Sequence, residues 1–230
     1  MWSLLGKQTP DEPDYRGPHR VHIDQPGVLD IFKRQTRMYL QRLHDPSRRL
    51  AVLCIGTDRS TGDCLGPLIG TKLASTLGDG AKVMGTLDHP VHAVNLSETL
   101  ETLNAWSPNP FIVAIDACLG RTESVGFISI REGPLQPGTG VNKTLPPVGD
   151  FHVIGIVNVG GFMEYLVLQN TRLSLVMHMA EIIAEGLRDE VQAILRPRVA
   201  CTSEPYPEKI PARTGDAWKF TSPNSAAVVE

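Results

Sequence analysis

Two aspartates stand where apolar runs give way to small residues. Asp63 follows the run Leu50-Ala51-Val52-Leu53-Cys54-Ile55 through a loop that contains Gly56, Thr57, Ser60, Thr61 and Gly62. Asp116 directly closes the run Pro110-Phe111-Ile112-Val113-Ala114-Ile115 and is followed by Ala117, Cys118 and Gly120. A charge at the end of a buried run is costly unless it is paired or put to use. Two carboxylates in one dry cleft do not easily both ionise, so they share a proton. One member then activates a water while the other protonates the leaving group. That chemistry is hydrolysis without a metal, suited to an amide or a similar bond.

The loop around Asp63 has a simpler reading beside this one. Ser60 or Thr61 can cap the following helix, which leaves Asp63 in a first turn where the helix dipole favours a carboxylate. A phosphate loop is excluded: five residues separate Gly56 from Gly62, no Gly-Lys-Ser/Thr follows, and Asp63 repels phosphate. Other chemistry is thinly supplied. Cys54, Cys64, Cys118 and Cys201 form no C-x-x-C pair and no zinc spacing. Three of them fall in apparent core elements, as reduced cysteines of a cytosolic protein do. A cysteine mechanism would need Cys64 or Cys118 with His152. His89 and His92 lie three apart with no third metal ligand near them in sequence.

The elements that must position these residues follow from periodicity. Residues 1–26, with Pro10, Pro13, Pro18 and Pro26, read as a loosely held arm. Leu29, Phe32, Tyr39, Leu40 and Leu43 then recur at helical spacing, with Lys33, Arg34, Arg37 and Arg42 on other faces. That amphipathic helix packs on the domain or, alternatively, on a membrane surface or partner. Residues 50–55 predict a buried strand, and Leu65, Leu68, Ile69 and Leu73 a helix after it. Residues 81–87 predict a second strand, His89 to His92 a turn, and Asn95 or Ser97 the start of a helix to Trp106. The continuous run 110–116 predicts a central parallel strand covered on both faces. Val125 to Arg131 alternate as a half-buried strand, antiparallel at an edge. A Gly/Pro-rich loop from Gly133 to Lys143 suits the gripping of a ligand backbone. Residues 151–157 predict another buried strand, and Met163 to Leu195 one long helix or two broken near Asn170-Thr171; His178 on it is packed or on the surface. The tail from residue 196 to 230, rich in proline and polar residues, predicts disorder.

Strands followed by helices, repeated, predict an α/β sandwich with a mainly parallel sheet, a single domain over residues 27–195. At 230 residues, 41% hydrophobic and 20% charged, the chain has an ordinary globular composition. A net charge of −3 supplies no basic field, so nucleic acid is not an expected partner. The first seven residues are too short and weakly apolar for a signal peptide, and no stretch reaches the length of a membrane span. A cytoplasmic protein without membrane contact is the expectation.

Three segments carry a family resemblance. Ile55 to Leu68, with its T-G-D-C-L-G-P core, resembles the T-P-D-x-L-G-P segment of the spore germination protease family. Ala114-Ile115-Asp116-Ala117 resembles that family's A-I-D-A strand end, and Pro137-Gly138-Thr139-Gly140-Val141-Asn142-Lys143 its P-G-S-G-V-x-N-K loop, one residue shorter here. The match spans residues 50–160 and is most similar to the YyaC-type sporulation proteins; more distantly it resembles hydrogenase maturation endopeptidases. The resemblance implies a three-layer sandwich with a catalytic dyad of Asp63 and Asp116. Gly62, Gly66, Gly138, Gly140, Asn142 and Lys143 would support it or bind substrate. It implies a protein or peptide substrate from the spore or sporulating cell, and no cofactor. In the hydrogenase peptidases a Glu and an Asp at the matching positions join a histidine to bind nickel. No histidine follows Arg131 within the loop where that residue would fall, so no metal is expected. Gly62 stands where the germination proteases have proline, and this chain is much shorter than theirs. An aspartic-type endopeptidase of sporulation is the leading reading. A non-catalytic binding or regulatory protein on a peptidase-like scaffold, and a hydrolase of a small amide, are the alternatives.

Overall fold

The structure is a computed structural model that describes residues 19–137 and 145–196. The chain begins with a short strand β1 (Arg20–His22) and a helix α1 (Val28–Leu43). Strand β2 (Leu50–Cys54), helix α2 (Leu65–Leu77), strand β3 (Lys82–Met84) and helix α3 (Leu96–Trp106) follow. Strands β4 (Phe111–Gly120), β5 (Phe127–Glu132) and β6 (Phe151–Val159) complete the sheet. Helices α4 (Glu164–Gln169) and α5 (Leu173–Leu195) close the described chain.

The six strands lie side by side in the order β1-β5-β6-β4-β2-β3. Strands β2, β3, β4 and β6 are parallel, and β5 runs antiparallel to β6. The expected α/β class with a mainly parallel sheet is therefore what the chain forms. The expected arm over residues 1–26 is corrected in part: Arg20–His22 pair with Phe127–Ser129. Consequently β5, expected at an edge, is covered by β1. Val21 is fully buried there, which is enough to tie a three-residue strand to the sheet.

Alternation along the strands divides the core into two seams, as the pleat requires. Val52, Cys54, Val113, Ile115 and Val153 pack with Phe32, Leu65, Ile69, Val176 and Met179 from α1, α2 and α5. Leu53, Ile55, Ala114 and Ile154 pack with Val91 and Leu96 of the opposite face, beside Leu135 and Val148. Helices thus cover both faces of the sheet, giving three layers. Helix α1 buries Phe32, Thr36, Tyr39 and Leu40, and the Phe32 ring sits where a side chain at Gly186 of α5 would fall. Burying that ring stabilises the fold by about 3 kcal/mol. The charges of α1 serve the same packing. Lys33 pairs with Asp189 at 2.7 Å, Arg37 holds Glu190 through two hydrogen bonds of 2.8 Å, and Arg42 pairs with Glu132. The domain-packing reading of this helix is the one the structure bears out.

At the amino ends of the parallel strands, Arg48 donates to both oxygens of Asp150, at 2.6 and 3.0 Å. Asp150 also accepts the Ile112 N–H at 2.8 Å, so one ion pair fixes β4 against the start of β6. The break expected near Asn170-Thr171 separates α4 from α5, and His178 is exposed. Among the described residues no helix is long and apolar enough to cross a membrane.

Candidate active site

Asp116 sits at the middle of β4, paired in register with Ile154 of β6. The residue before it, Ile115, pairs with Cys54, and its carbonyl accepts the Ile55 N–H at 2.7 Å. Ile55 in turn bridges Val91. Val91, Ile55, Asp116 and Ile154 therefore form one row across the sheet near the carboxyl ends of its parallel strands, where open α/β sheets hold their ligands. Strand pleating turns Asp116 to the same face as Ala114, the face of α3.

The β2–α2 loop brings Asp63 to this row. Gly56, at φ +143°, lets the chain turn sharply after β2, and a Cβ there would overlap the Asp63 carbonyl. The Thr57 N–H donates to that carbonyl at 3.1 Å, closing the loop upon itself. The sequence placed Asp63 inside a first helical turn capped by Ser60 or Thr61. Instead Cys64 occupies the N-cap without a side-chain hydrogen bond, and Asp63 precedes the helix. Ser60 is buried, and its hydroxyl has no hydrogen-bond partner among the described residues.

Both aspartates are half-buried. Burial pushes the Asp63 carboxyl above the usual carboxylate range, opposed by a hydrogen bond from the Thr57 N–H and by the charge of His92. Asp116 is held well above that range, first by burial and then by the charge of Asp63; the Ala117 N–H, donating to its Oδ1 at 2.8 Å, opposes this. The charge of Asp63 thus favours the protonated form of Asp116, as a neighbouring carboxylate does.

The small residues expected to support the site divide into two groups. Gly62 donates its N–H to the Leu168 carbonyl at 2.8 Å, and a side chain there would strike Leu168 and Thr171. It seats the acidic loop against α4. Gly66 lets the first turn of α2 touch the Ile55 carbonyl, so its part is also to position. Gly138, Gly140, Asn142 and Lys143 lie outside the described residues. The flanks of their loop, Leu135 and Val148, pair with each other and pack on the face that carries Ala114.

The cysteine alternative loses its geometry. Cys118 pairs with Ile156 whereas His152 pairs with Ala114, which puts them four residues, about 13 Å, apart along the sheet. The Cys64 thiol donates to the Thr61 carbonyl at 2.9 Å, and burial together with the charges of Asp63 and Asp58 pushes it up, away from thiolate. His152 is buried with Nδ1 against the Gly133 carbonyl at 2.9 Å. Among the described residues no three His, Cys, Asp or Glu side chains gather as a metal site.

His92, which the sequence sets beside His89 as a weak metal motif, lies next to Val91, whose carbonyl accepts the Gly56 N–H at 2.8 Å, and its charge opposes the rise at Asp63. The signal was available: His92 lies in the loop after a third parallel strand, at the same end of the sheet as both aspartates. A cleft of about 380 Å³ lined by Met84, Asp88, His89, Val91, His92 and Asn95 opens beside it. Phe162, Met163 and Tyr165 stand 88%, 53% and 70% exposed around the start of α4.

A family model described as "Protein of unknown function (DUF1256)" matches residues 21–186. The chain is 59% identical over 138 residues to the uncharacterized protein YyaC of Bacillus subtilis (strain 168), a span that covers 60% of this chain and 67% of that protein. The likeness to YyaC-type proteins read from the motifs is thereby borne out. Among solved structures, the chain is similar to the NiFe hydrogenase maturation protease HycI of Thermococcus kodakarensis KOD1. That similarity has a TM-score of 0.48 at 16% identity and covers 66% of this chain and 98% of the other.

Proposed function

The chain belongs to the DUF1256 family, and we propose that it is an aspartic-type endopeptidase that cuts a spore or sporulation protein with Asp63, Asp116 and water. What supports this reading is that Asp116 lies half-buried near the carboxyl ends of the parallel strands, and that burial and the charge of Asp63, also half-buried, hold it above the usual carboxylate range. Such a pair shares one proton near neutrality. The ionised member takes a proton from water as the water oxygen bonds to the scissile carbonyl carbon, and the protonated member gives its proton to the carbonyl oxygen. Collapse of the tetrahedral intermediate breaks the C–N bond. The amine leaves with the proton first taken from water, and the second carboxyl recovers its own.

The assignment to sporulation rests on the resemblance of the three motifs to spore germination proteases. A protein substrate, rather than a small amide, is supported by the exposed apolar side chains of Phe162, Met163 and Tyr165 around the start of α4, the helix against which Gly62 seats the acidic loop. The test follows cleavage of candidate spore proteins by mass spectrometry. Asp63→Asn and Asp116→Asn are each expected to lower turnover at least about a hundredfold, and the double variant scarcely further, because residues acting as a unit are not additive. Cleavage is expected to survive EDTA; its loss would point to a metal-dependent reaction. Equal cleavage by wild type and both variants would overturn the dyad. Binding without cleavage by any of them would favour the non-catalytic scaffold.

A further inference from the structure

The cleft of about 380 Å³ beyond β3 shares its face of the sheet with Asp116. Met84 and Val91 of its lining pack with Ile55 and Ala114 on the α3 side, the side to which the pleat turns Asp116. Val91 bridges Ile55, and Ile55 follows the Cys54–Ile115 pair into the position beside Asp116. Two strand spacings, about 10 Å, therefore separate Val91 from Asp116. An extended peptide advances about 3.3 Å per residue, so a chain laid across this row spans from the aspartate to the cleft in about three residues. Strand β3 is the last of the sheet, and no further strand bars the way there.

Most polar groups of the lining are already used within it. Asn95 Oδ1 accepts the His92 N–H at 2.8 Å, its Nδ2 donates to the Pro90 carbonyl at 3.0 Å, and Thr99 Oγ1 donates to the Asn95 carbonyl at 2.9 Å. The His92 ring accepts the Val94 N–H through Nδ1 at 3.3 Å, which makes it a neutral ring here. Asp88 differs: its carboxylate is exposed and makes no hydrogen bond or ion pair among the described residues. The segment that forms this layer supplies no cation to it. From Val83 to Gly120 there is no lysine or arginine, whereas Asp88, Glu98, Glu101 and Asp116 are acidic. The cleft thus offers an apolar floor of Met84, Pro90 and Val91, the flat imidazoles of His89 and His92, and one unpaired carboxylate. An arginine side chain complements all three. Its stem lies on apolar surface, its plane stacks on rings, and its fork matches a carboxylate. We propose that the cleft binds an arginine side chain of the polypeptide substrate, about three residues from the bond that the aspartates cut, with Asp88 as its partner. The place relative to that bond rests on the peptidase reading; the fit of the cleft to arginine does not.

The first measurement uses the full chain and two probes, the methylamides of Nα-acetyl-arginine and Nα-acetyl-citrulline, the second of similar shape but uncharged. In amide NMR spectra the arginine probe is expected to shift signals of the cleft residues between 84 and 99, and citrulline to bind at least about tenfold more weakly. Asp88→Asn, at an exposed loop position, keeps the fold, which the same spectra verify, and is expected to weaken arginine binding about tenfold. Asp88→Lys is expected to reject arginine and to take the methylamide of Nα-acetyl-glutamate instead. Equal binding of arginine and citrulline, arginine binding unchanged in Asp88→Asn, or no shift at these amides would overturn the assignment. The second measurement profiles the cleavage of a peptide library by mass spectrometry. Arginine is expected about two to four residues from the cut bond. That preference is lost in Asp88→Asn, while peptides with alanine at the position are cut as before. Cleavage without any arginine preference overturns this inference and leaves the peptidase reading intact. Arginine binding in the cleft without cleavage of any peptide overturns the peptidase reading, and with it the substrate role, while the arginine site stands.

Discussion

A carboxyl that folding holds above its usual range is a stability statement as well as a catalytic one. Asp116 binds its proton more tightly in the folded chain than in the unfolded one. Stability from this group is therefore fully present below the unfolded value, near pH 4, and falls as pH rises through the folded value. Asp63 is displaced in the same direction and adds to the same slope. Asp116→Asn keeps the acceptor for the Ala117 N–H but has no proton to lose. It is expected to be the more stable protein near pH 7, with the gap closing toward pH 4. Urea midpoints measured across that range check this, and a gap independent of pH would mean that the carboxyl stays hydrated in the fold. A site that destabilises its own scaffold at working pH is a familiar cost of function.

At the scale of elements, the crevice depends on how closely α2 meets the end of β2. The first turn of that helix touches the Ile55 carbonyl through Gly66, and Gly70 meets the backbone of Gly85 in the same way. A glycine inside a helix is ordinarily improved by alanine, by about 1 kcal/mol. Here the sign is expected to reverse. Gly66→Ala forces α2 away from Ile55 and should cost about 2–3 kcal/mol, the usual range for overpacking. It should also lower the activity of the dyad, since Asp63 is attached to the helix that moves. Chemical denaturation gives the first quantity, and a stabilised Gly66→Ala would show that the helix has room to spare.

For the whole molecule, one face of the sheet carries most of the core. Helices α1 and α5 share that face, and they meet at Phe32 on Gly186, flanked by the buried Glu190, 4% exposed, with its Arg37 partner. Phe32→Ala is expected to cost about 3–4 kcal/mol of global stability, because the ring is enclosed and its cavity cannot collapse against a backbone glycine. A loss below about 1 kcal/mol by urea unfolding would make α1 peripheral rather than part of the cooperative unit. The crevice lies at the carboxyl end of the strands, away from this seam. Variants of the aspartates can thus be read for chemistry without unfolding the protein.

What the chain determines locally was legible from its residues. The continuous apolar runs at 50–55, 110–116 and 151–157 became the central strands, because a strand covered on both faces has no polar side to show. Asp116, which ends the second run, and Asp63, in the loop after the first, could be placed at the carboxyl end of the sheet for the same reason. Helical spacing gave α1, and Phe32, Tyr39 and Leu40 turned inward as their period required. Tertiary structure alone decided the rest. Arg20–His22 are too few to show a period, and they form a strand only because β5 offers them a free edge. The order of strands set Asp116 in a row with Ile55 and Val91, a matter of pairing between distant segments that no local pattern encodes. Gly62 and Gly66 were expected to support the site or bind substrate, and that their lack of a side chain is used by Leu168 and Ile55 only packing could reveal. That the turn of His89 to His92 is tied to the loop after β2, through the Gly56 N–H on the Val91 carbonyl, is likewise a bond between distant segments that a spacing of three does not encode.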